Sequence, residues 1–217
     1  IGKPLLGFAT KRSLPAWRSD AFVAPAAPQS TAGREVVLFV DTFSTYFEPE
    51  NARAAIRVLE AASYTVHLPL PSEETRPLCC GRTFLASGLV DEARAEAQRM
   101  IDTLKPYVER GVPVVGLEPS CLFGLRDEFV SMLPGGDTAK LAMQAFLFEE
   151  FLANEMEAGR LQLKLKALPQ TKALLHGHCH QKAFAAMPAV KKILGLVPDL
   201  NVEVIESSCC GMAGSFG

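Results

Sequence analysis

The chain has 217 residues, is 48% hydrophobic and 21% charged, and carries a formal net charge of −2. This is the composition of a soluble globular protein with one large domain or two small ones. It holds no basic stripe for nucleic acid, and its longest apolar runs fall far short of the roughly 20 residues of a membrane span.

Residues 1–34 contain Pro4, Pro15, Pro25 and Pro28, with a Ser/Thr/Gly cluster at 30–33, and read as a linker or arm to an upstream domain. Trp17 is expected to pin part of this arm to the domain surface. No secretory signal opens the chain. Ile1 and Gly217 both look like cut ends, so the sequence reads as a fragment of a longer protein.

From Glu35 the pattern changes. Val36–Val40 is a continuous apolar run, as in a buried parallel strand. Asn51–Ala62 places Ala55, Val58, Leu59 and Ala62 on one helical face. Tyr64–Leu68 reads as a strand, and Cys79-Cys80-Gly81 follows it. Val90–Leu104 is helical, and Pro106 is expected to end or kink it. Val112–Leu117 is a third strand, closed by a loop at Glu118-Pro119-Ser120-Cys121. Gly135-Gly136-Asp137 marks a turn and a helix start. One helix is expected over Thr138–Ala158, with Leu141, Ala145, Phe148 and Leu152 facing inward. The order then restarts: strand at Ala173–His176, helix at Pro188–Leu194, strand at Val202–Ile205, and Cys209-Cys210-Gly211.

Alternating strands and helices predict an α/β fold with mostly parallel sheets flanked by helices. The recurrence of Cys-Cys-Gly predicts two similar lobes from an internal duplication. The expected division is a first unit over 35–137, and a connecting helix plus second unit over 138–217. Ligands in such sheets sit beyond the carboxyl ends of the strands. Both cysteine sets are therefore expected near the junction of the lobes.

Six cysteines carry the chemistry: Cys79, Cys80, Cys121, Cys179, Cys209 and Cys210. Neighbouring cysteines are poor disulfide partners, because their Cα atoms lie about 3.8 Å apart where a disulfide wants roughly 4.4–6.8 Å. Adjacent side chains on a strand point to opposite faces. Two neighbours reach one centre only from an irregular loop, and the glycine that follows each pair supplies a permissive backbone. Soft thiolates in this arrangement suit an iron–sulfur cluster or zinc. Three of the four histidines, His176, His178 and His180, surround Cys179. They are read as loop residues, with His178 a further candidate ligand. His67 falls in a predicted strand, apart from this chemistry. Asp41 and Glu118 follow predicted strands and read as solvated loop carboxylates, Glu118 being a second candidate ligand. No phosphate-binding glycine motif is present.

Cys79-Cys80-Gly81 with Pro119-Ser120-Cys121, and His176-Gly-His-Cys-His-Gln-Lys182 with Glu206-Ser-Ser-Cys-Cys-Gly-Met-Ala-Gly-Ser-Phe-Gly217, resemble the cysteine-rich CCG domain. That domain occurs in heterodisulfide reductase and in iron–sulfur subunits of glycolate oxidase and anaerobic glycerol-3-phosphate dehydrogenase. The last two phrases are most similar to the C-terminal part of fused bacterial 2-hydroxy-acid dehydrogenases with flavin and ferredoxin-like domains upstream. The resemblance implies an electron-transfer domain with a 4Fe-4S type cluster on the six cysteines. It also implies FAD in an upstream domain and a substrate of the D-lactate, glycolate or D-2-hydroxyglutarate type. The location implied is cytoplasmic, at most peripheral to the inner face of the membrane. The piece alone is expected to be inactive, with its clusters largely missing. The first unit departs from the family pattern. Asp41-Thr42-Phe43-Ser44 stands where a lone cysteine belongs, and Glu118 stands for the first cysteine of a Cys-x-x-Cys. The alternatives are a structural zinc module and a thiol or heterodisulfide reductase domain.

Overall fold

The structure, a computed structural model, describes residues 18–25, 33–70 and 76–207. Trp17, Cys209 and Cys210 lie outside the described residues, and so do the expectations that rest on them.

Four parallel strands form the main sheet: β1 (Arg34–Phe39), β2 (Tyr64–His67), β3 (Val114–Gly116) and β4 (Ala145–Leu147), in the order β2-β1-β3-β4. Alternation along β1 sends Val37 and Phe39 to one face, and Val36 and Leu38 to the other, all at most 2% exposed. Burial on both faces explains why β1 reads as an unbroken apolar run. The first face is covered by α4 (Val90–Val108), α5 (Pro119–Arg126) and α7 (Gly136–Gln144), through Met100, Leu104, Phe123 and Leu141. The second is covered by α2 (Pro49–Ala61) and α8 (Phe148–Glu157), through Ala55, Leu59, Phe151 and Leu152. Short helices α1 (Thr42–Tyr46), α3 (Arg82–Ala86) and α6 (Glu128–Met132) complete this unit.

A second sheet pairs β5 (Lys172–Leu175) with β6 (Asn201–Val204), also in parallel, with α9 (Cys179–Ala183) and α10 (Met187–Leu194) between them. The order strand, short helix, longer helix, parallel strand thus occurs in both sheets. Beyond that order the two differ. The second sheet has two strands among the described residues, and no counterparts of β3 and β4 are seen there. It sits on the first unit, with α10 against α8 and α9 against α5. Phe184, the C-cap of α9, stacks on Phe123 with centroids 4.3 Å apart and planes 3° from parallel. Residues 18–25 lie along α1, where Phe22 N–H donates to Thr45 O at 2.8 Å and Arg18 N–H to Tyr46 O at 3.2 Å.

Three expectations about local structure are corrected. The helix expected over Thr138–Ala158 is broken by β4, because Ala145-Phe146-Leu147 pairs with Val114-Val115-Gly116 of β3. Backbone pairing at a sheet edge outweighs three more residues of helix, and it still buries Ala145 and Leu147. Of the two effects expected of Pro106, it does not end α4, which runs two residues further to Val108. Lys105 in its last turn and Leu104 and Val108 in the core hold that turn in place. Pro119-Ser120-Cys121 is the first turn of α5 and not a loop. Proline suits this first position because its missing N–H is unpaired there in any case.

At the amino edge of the sheet Glu155 is 8% exposed and accepts from Tyr64, from Arg34, and from Arg160 Nη2 at 2.6 Å. The Arg160 hydrogen bond, with those from Tyr64 and Arg34, holds the Glu155 carboxyl below its ordinary value of 4.5. A carboxylate depressed in the folded state stabilises the protein above its unfolded pKa, and that contribution is lost as pH falls through the folded one. Glu155→Gln is therefore expected to lower stability at neutral pH and to flatten its fall below pH 4.5. Urea midpoints between pH 3 and pH 7 check this, and a parallel fall in both proteins would contradict it.

Candidate cysteine site at the sheet's carboxyl edge

From β1 the chain crosses to β2 on one side and then returns to β3 on the other. Such a reversal opens a crevice at the carboxyl ends of the two central strands. Asp41 follows β1 there, and Glu118 follows β3.

Neither carboxylate is a solvated loop group. Asp41 is 1% exposed and caps α1. Its Oδ1 accepts from Phe43 N–H at 2.8 Å and Ser44 N–H at 3.0 Å, and its Oδ2 from the Ser44 hydroxyl at 2.7 Å. Glu118 caps α5, accepting from Cys121 N–H at 2.6 Å and from the Ser120 hydroxyl at 2.9 Å. Orphan amides at a helix start attract an acceptor wherever a strand runs straight into a helix. The signal was present in the sequence as a carboxylate three residues before Ser44 and another directly before Pro119.

Cys121, in the first turn of α5, meets the Cys79-Cys80 turn that leads into α3. Cys80 and Cys121 are 7% and 8% exposed, while Cys79 is partly exposed. Cys80 and Cys121 pack in the same buried cluster with Cys79 beside them in the turn, and Gly81 N–H donates to Cys79 Sγ at 3.4 Å. Gly81 has φ +72°, the left-handed conformation that lets both side chains leave one turn. All three thiols titrate high. Donation to Cys80 and then burial push Cys79 up. Donation to Cys121 does most to raise Cys80, with burial adding to it. For Cys121 the bond from Cys80 lowers the pKa, but burial and the charges of Glu118 and Asp41 outweigh it. These are protonated thiols, so any metal that binds them must displace their protons.

The second set is only partly described. Cys179 opens α9 and is exposed. His178 caps that helix, its Nδ1 accepting from His180 N–H at 3.2 Å, while its own N–H donates to Gln181 Oε1 at 2.9 Å. His176 Nε2 lies 2.6 Å from the Ser207 hydroxyl. His180 stacks on His178, and its buried Nδ1 finds no hydrogen-bond partner among the described residues. Burial and then the charge of Arg82, which follows Gly81, lower the His180 pKa. α9, which carries Cys179 and His180, packs against α5, the helix that carries Cys121. His67 lies elsewhere, with Nε2 2.8 Å from Glu35. Among the described residues no three His, Cys, Asp or Glu side chains converge as a ready metal site. The soft donors of the first set suit an iron–sulfur centre in chemistry, but they number three, and the two nearby carboxylates are occupied as caps.

A family model described as "Cysteine-rich domain", CCG, matches residues 40–126. Those residues form a CCG cysteine-rich domain. The matched stretch begins directly after β1, includes the Cys79-Cys80-Gly81 turn and ends with α5, which carries Cys121.

The chain is 31% identical over 212 residues to a subunit of the anaerobic glycerol-3-phosphate dehydrogenase of Escherichia coli K12, covering 95% of this chain and 52% of that protein. It thus spans about half of that relative's length. It is 25% identical to D-2-hydroxyglutarate dehydrogenase of the same strain, covering 85% of this chain and 17% of the relative. It is 27% identical to lactate utilization protein A of an Exiguobacterium species, covering 83% and 72%. No solved structure matches the chain. No helix among the described residues is long and apolar enough to cross a membrane.

Proposed function

We propose that this chain is the iron–sulfur electron-transfer part of a dehydrogenase, with substrate oxidation carried out on a flavin in another domain or subunit. The observation that carries this reading is the packing of Cys80 and Cys121 in one buried cluster, with Cys79 beside them in the turn, at the carboxyl edge of a parallel sheet. In this reading those three thiols are one ligand set, and Cys179, Cys209 and Cys210 belong to the second. Glu118 and His178 are assigned to helix capping and not to ligation. A bound cluster would supply one-electron redox chemistry and would pass electrons between the flavin and an acceptor. The chain's own residues contribute soft ligands, burial and a fixed turn.

The substrate class follows the names of the relatives: a small anionic alcohol, either a 2-hydroxy acid such as lactate or 2-hydroxyglutarate, or glycerol 3-phosphate. The proposed organisation keeps residues 1–34 as the connection to upstream ferredoxin-like and flavin parts.

The test is anaerobic purification of the full-length protein, with iron and sulfide analysis and low-temperature electron paramagnetic resonance. Iron and acid-labile sulfide are expected in the parent, and Cys80→Ser and Cys121→Ser are each expected to lose the signal of the first set. A parent protein that carries zinc without sulfide, or serine variants with full iron and sulfide, would overturn the reading.

A further inference from the structure

We propose that Arg99 is a positioning residue for the Cys79-Cys80 pair, a cationic clamp on the backbone just ahead of it. This rests on the reading of these cysteines as cluster ligands. Arg99 lies on α4, with its side chain 13% exposed. Its Nη2 donates to Pro77 O at 2.8 Å and its Nη1 to Arg76 O at 3.2 Å. Pro77 stands two residues before Cys79. Nη2 also meets Glu96 Oε2 at 2.7 Å, and Glu96 is itself 7% exposed and paired through Oε1 with Arg76 at 2.6 Å. The planar guanidinium suits this task, because its fork holds two carbonyls and a carboxylate in fixed directions.

The contacts fix the entry to the turn that carries the thiols, between buried Leu78 and Cys80. Cys79 is partly exposed, and the glycine after Cys80 is the most permissive residue a turn can hold.

A second cation occupies the corresponding place in the other unit. Lys182 Nζ donates to Ser207 O at 2.7 Å, and Ser207 stands two residues before Cys209. Two helices of different units thus place a cation on the carbonyl at the same position ahead of each Cys-Cys-Gly. Neither the helices nor the spacing between cation and carbonyl is shared, so local sequence alone does not produce the coincidence.

The experiment uses the full-length protein in two forms. In cluster-free protein, the alkylation rates of Cys79, Cys80 and Cys179 are followed by site-resolved mass spectrometry. In anaerobically loaded protein, the midpoint potential is measured. Arg99→Met is expected to speed alkylation of Cys79 and Cys80 by about tenfold, from the loss of charge-assisted hydrogen bonds, and to leave Cys179 unchanged. It is also expected to lower the potential, since the cation favours the more negative reduced state. Arg99→Lys is expected to keep the potential and to restore part of the protection. Glu96→Met with Arg99→Met removes both charges, so it leaves no lone buried ion should the single variant fail to fold. Unchanged rates at Cys79 and Cys80 in a folded double variant would overturn the clamp. Equal acceleration at Cys179 would do the same, because it would mark general loosening. A parent that binds no cluster would end the electron-transfer reading, while the alkylation rates would still judge the clamp.

Discussion

Phe123→Ala is expected to destabilise the folded protein by about 3–5 kcal/mol, the usual range for removing a fully buried aromatic side chain. Phe123 is 0% exposed in α5 and lies in the core beneath the first face of the sheet. It also makes one of the contacts with the second unit, its stack on Phe184. Arg126 covers both rings, at 5.0 Å from the Phe123 centroid and 5.5 Å from that of Phe184. The truncation therefore opens a cavity and removes an aromatic pair worth about 0.5–1.5 kcal/mol beyond its area. Phe184→Ala removes only the pair and part of the burial, so it is expected to cost roughly 1–2 kcal/mol less. Urea denaturation of both variants checks the order. If the two cost the same, the stack and not the core would be the main role of Phe123.

Much of this architecture was legible because the main sheet is buried on both faces. A strand in that setting reads as an unbroken apolar run, and Val36–Val40 and Val112–Leu117 were visible for that reason. The helices α2 and α4 were visible from their stripes. β4 was hidden, because Ala145-Phe146-Leu147 continues the helical spacing of Leu141 and Leu152, and only pairing with β3 decides against a helix. The cysteines themselves were legible as chemistry, and the meeting of Cys121 with Cys79 and Cys80 follows from where strands β1 and β3 end. Asp41 and Glu118 read as solvated loop groups, although each stands at a helix-cap position, Asp41 three residues before Ser44 and Glu118 directly before Pro119. The role of Arg99 was out of reach. Its partners, the carbonyls of Arg76 and Pro77, are more than 20 residues away and have no side-chain signature.

The other large effect is expected at Gly81. Its φ of +72° costs any L-residue roughly 1–2 kcal/mol. There is also no room for a side chain. A Cβ there would lie 3.0 Å from Ala93 O, 3.1 Å from Glu96 Cβ and 3.2 Å from Ala93 Cα. Two of these are backbone atoms of α4, which cannot swing aside as a flexible side-chain end would. Relief requires α3 and the Cys79-Cys80 turn to move away from α4, which shifts the two thiols relative to Cys121 in α5. Gly81→Ala is therefore expected to cost about 2–4 kcal/mol in all, strain and displacement together. Gly111 serves as the control. It has φ +78° with nothing within 4 Å of a Cβ, so alanine there carries the conformational cost alone, about 1–2 kcal/mol. Denaturation midpoints separate the two variants, and iron and sulfide content of the full-length protein tells whether the turn has been lost. Gly81→Ala is expected to lose the first cysteine set's iron while Gly111→Ala retains it. Equal iron in both would mean that the left-handed turn at Gly81 is not what presents Cys79 and Cys80 together.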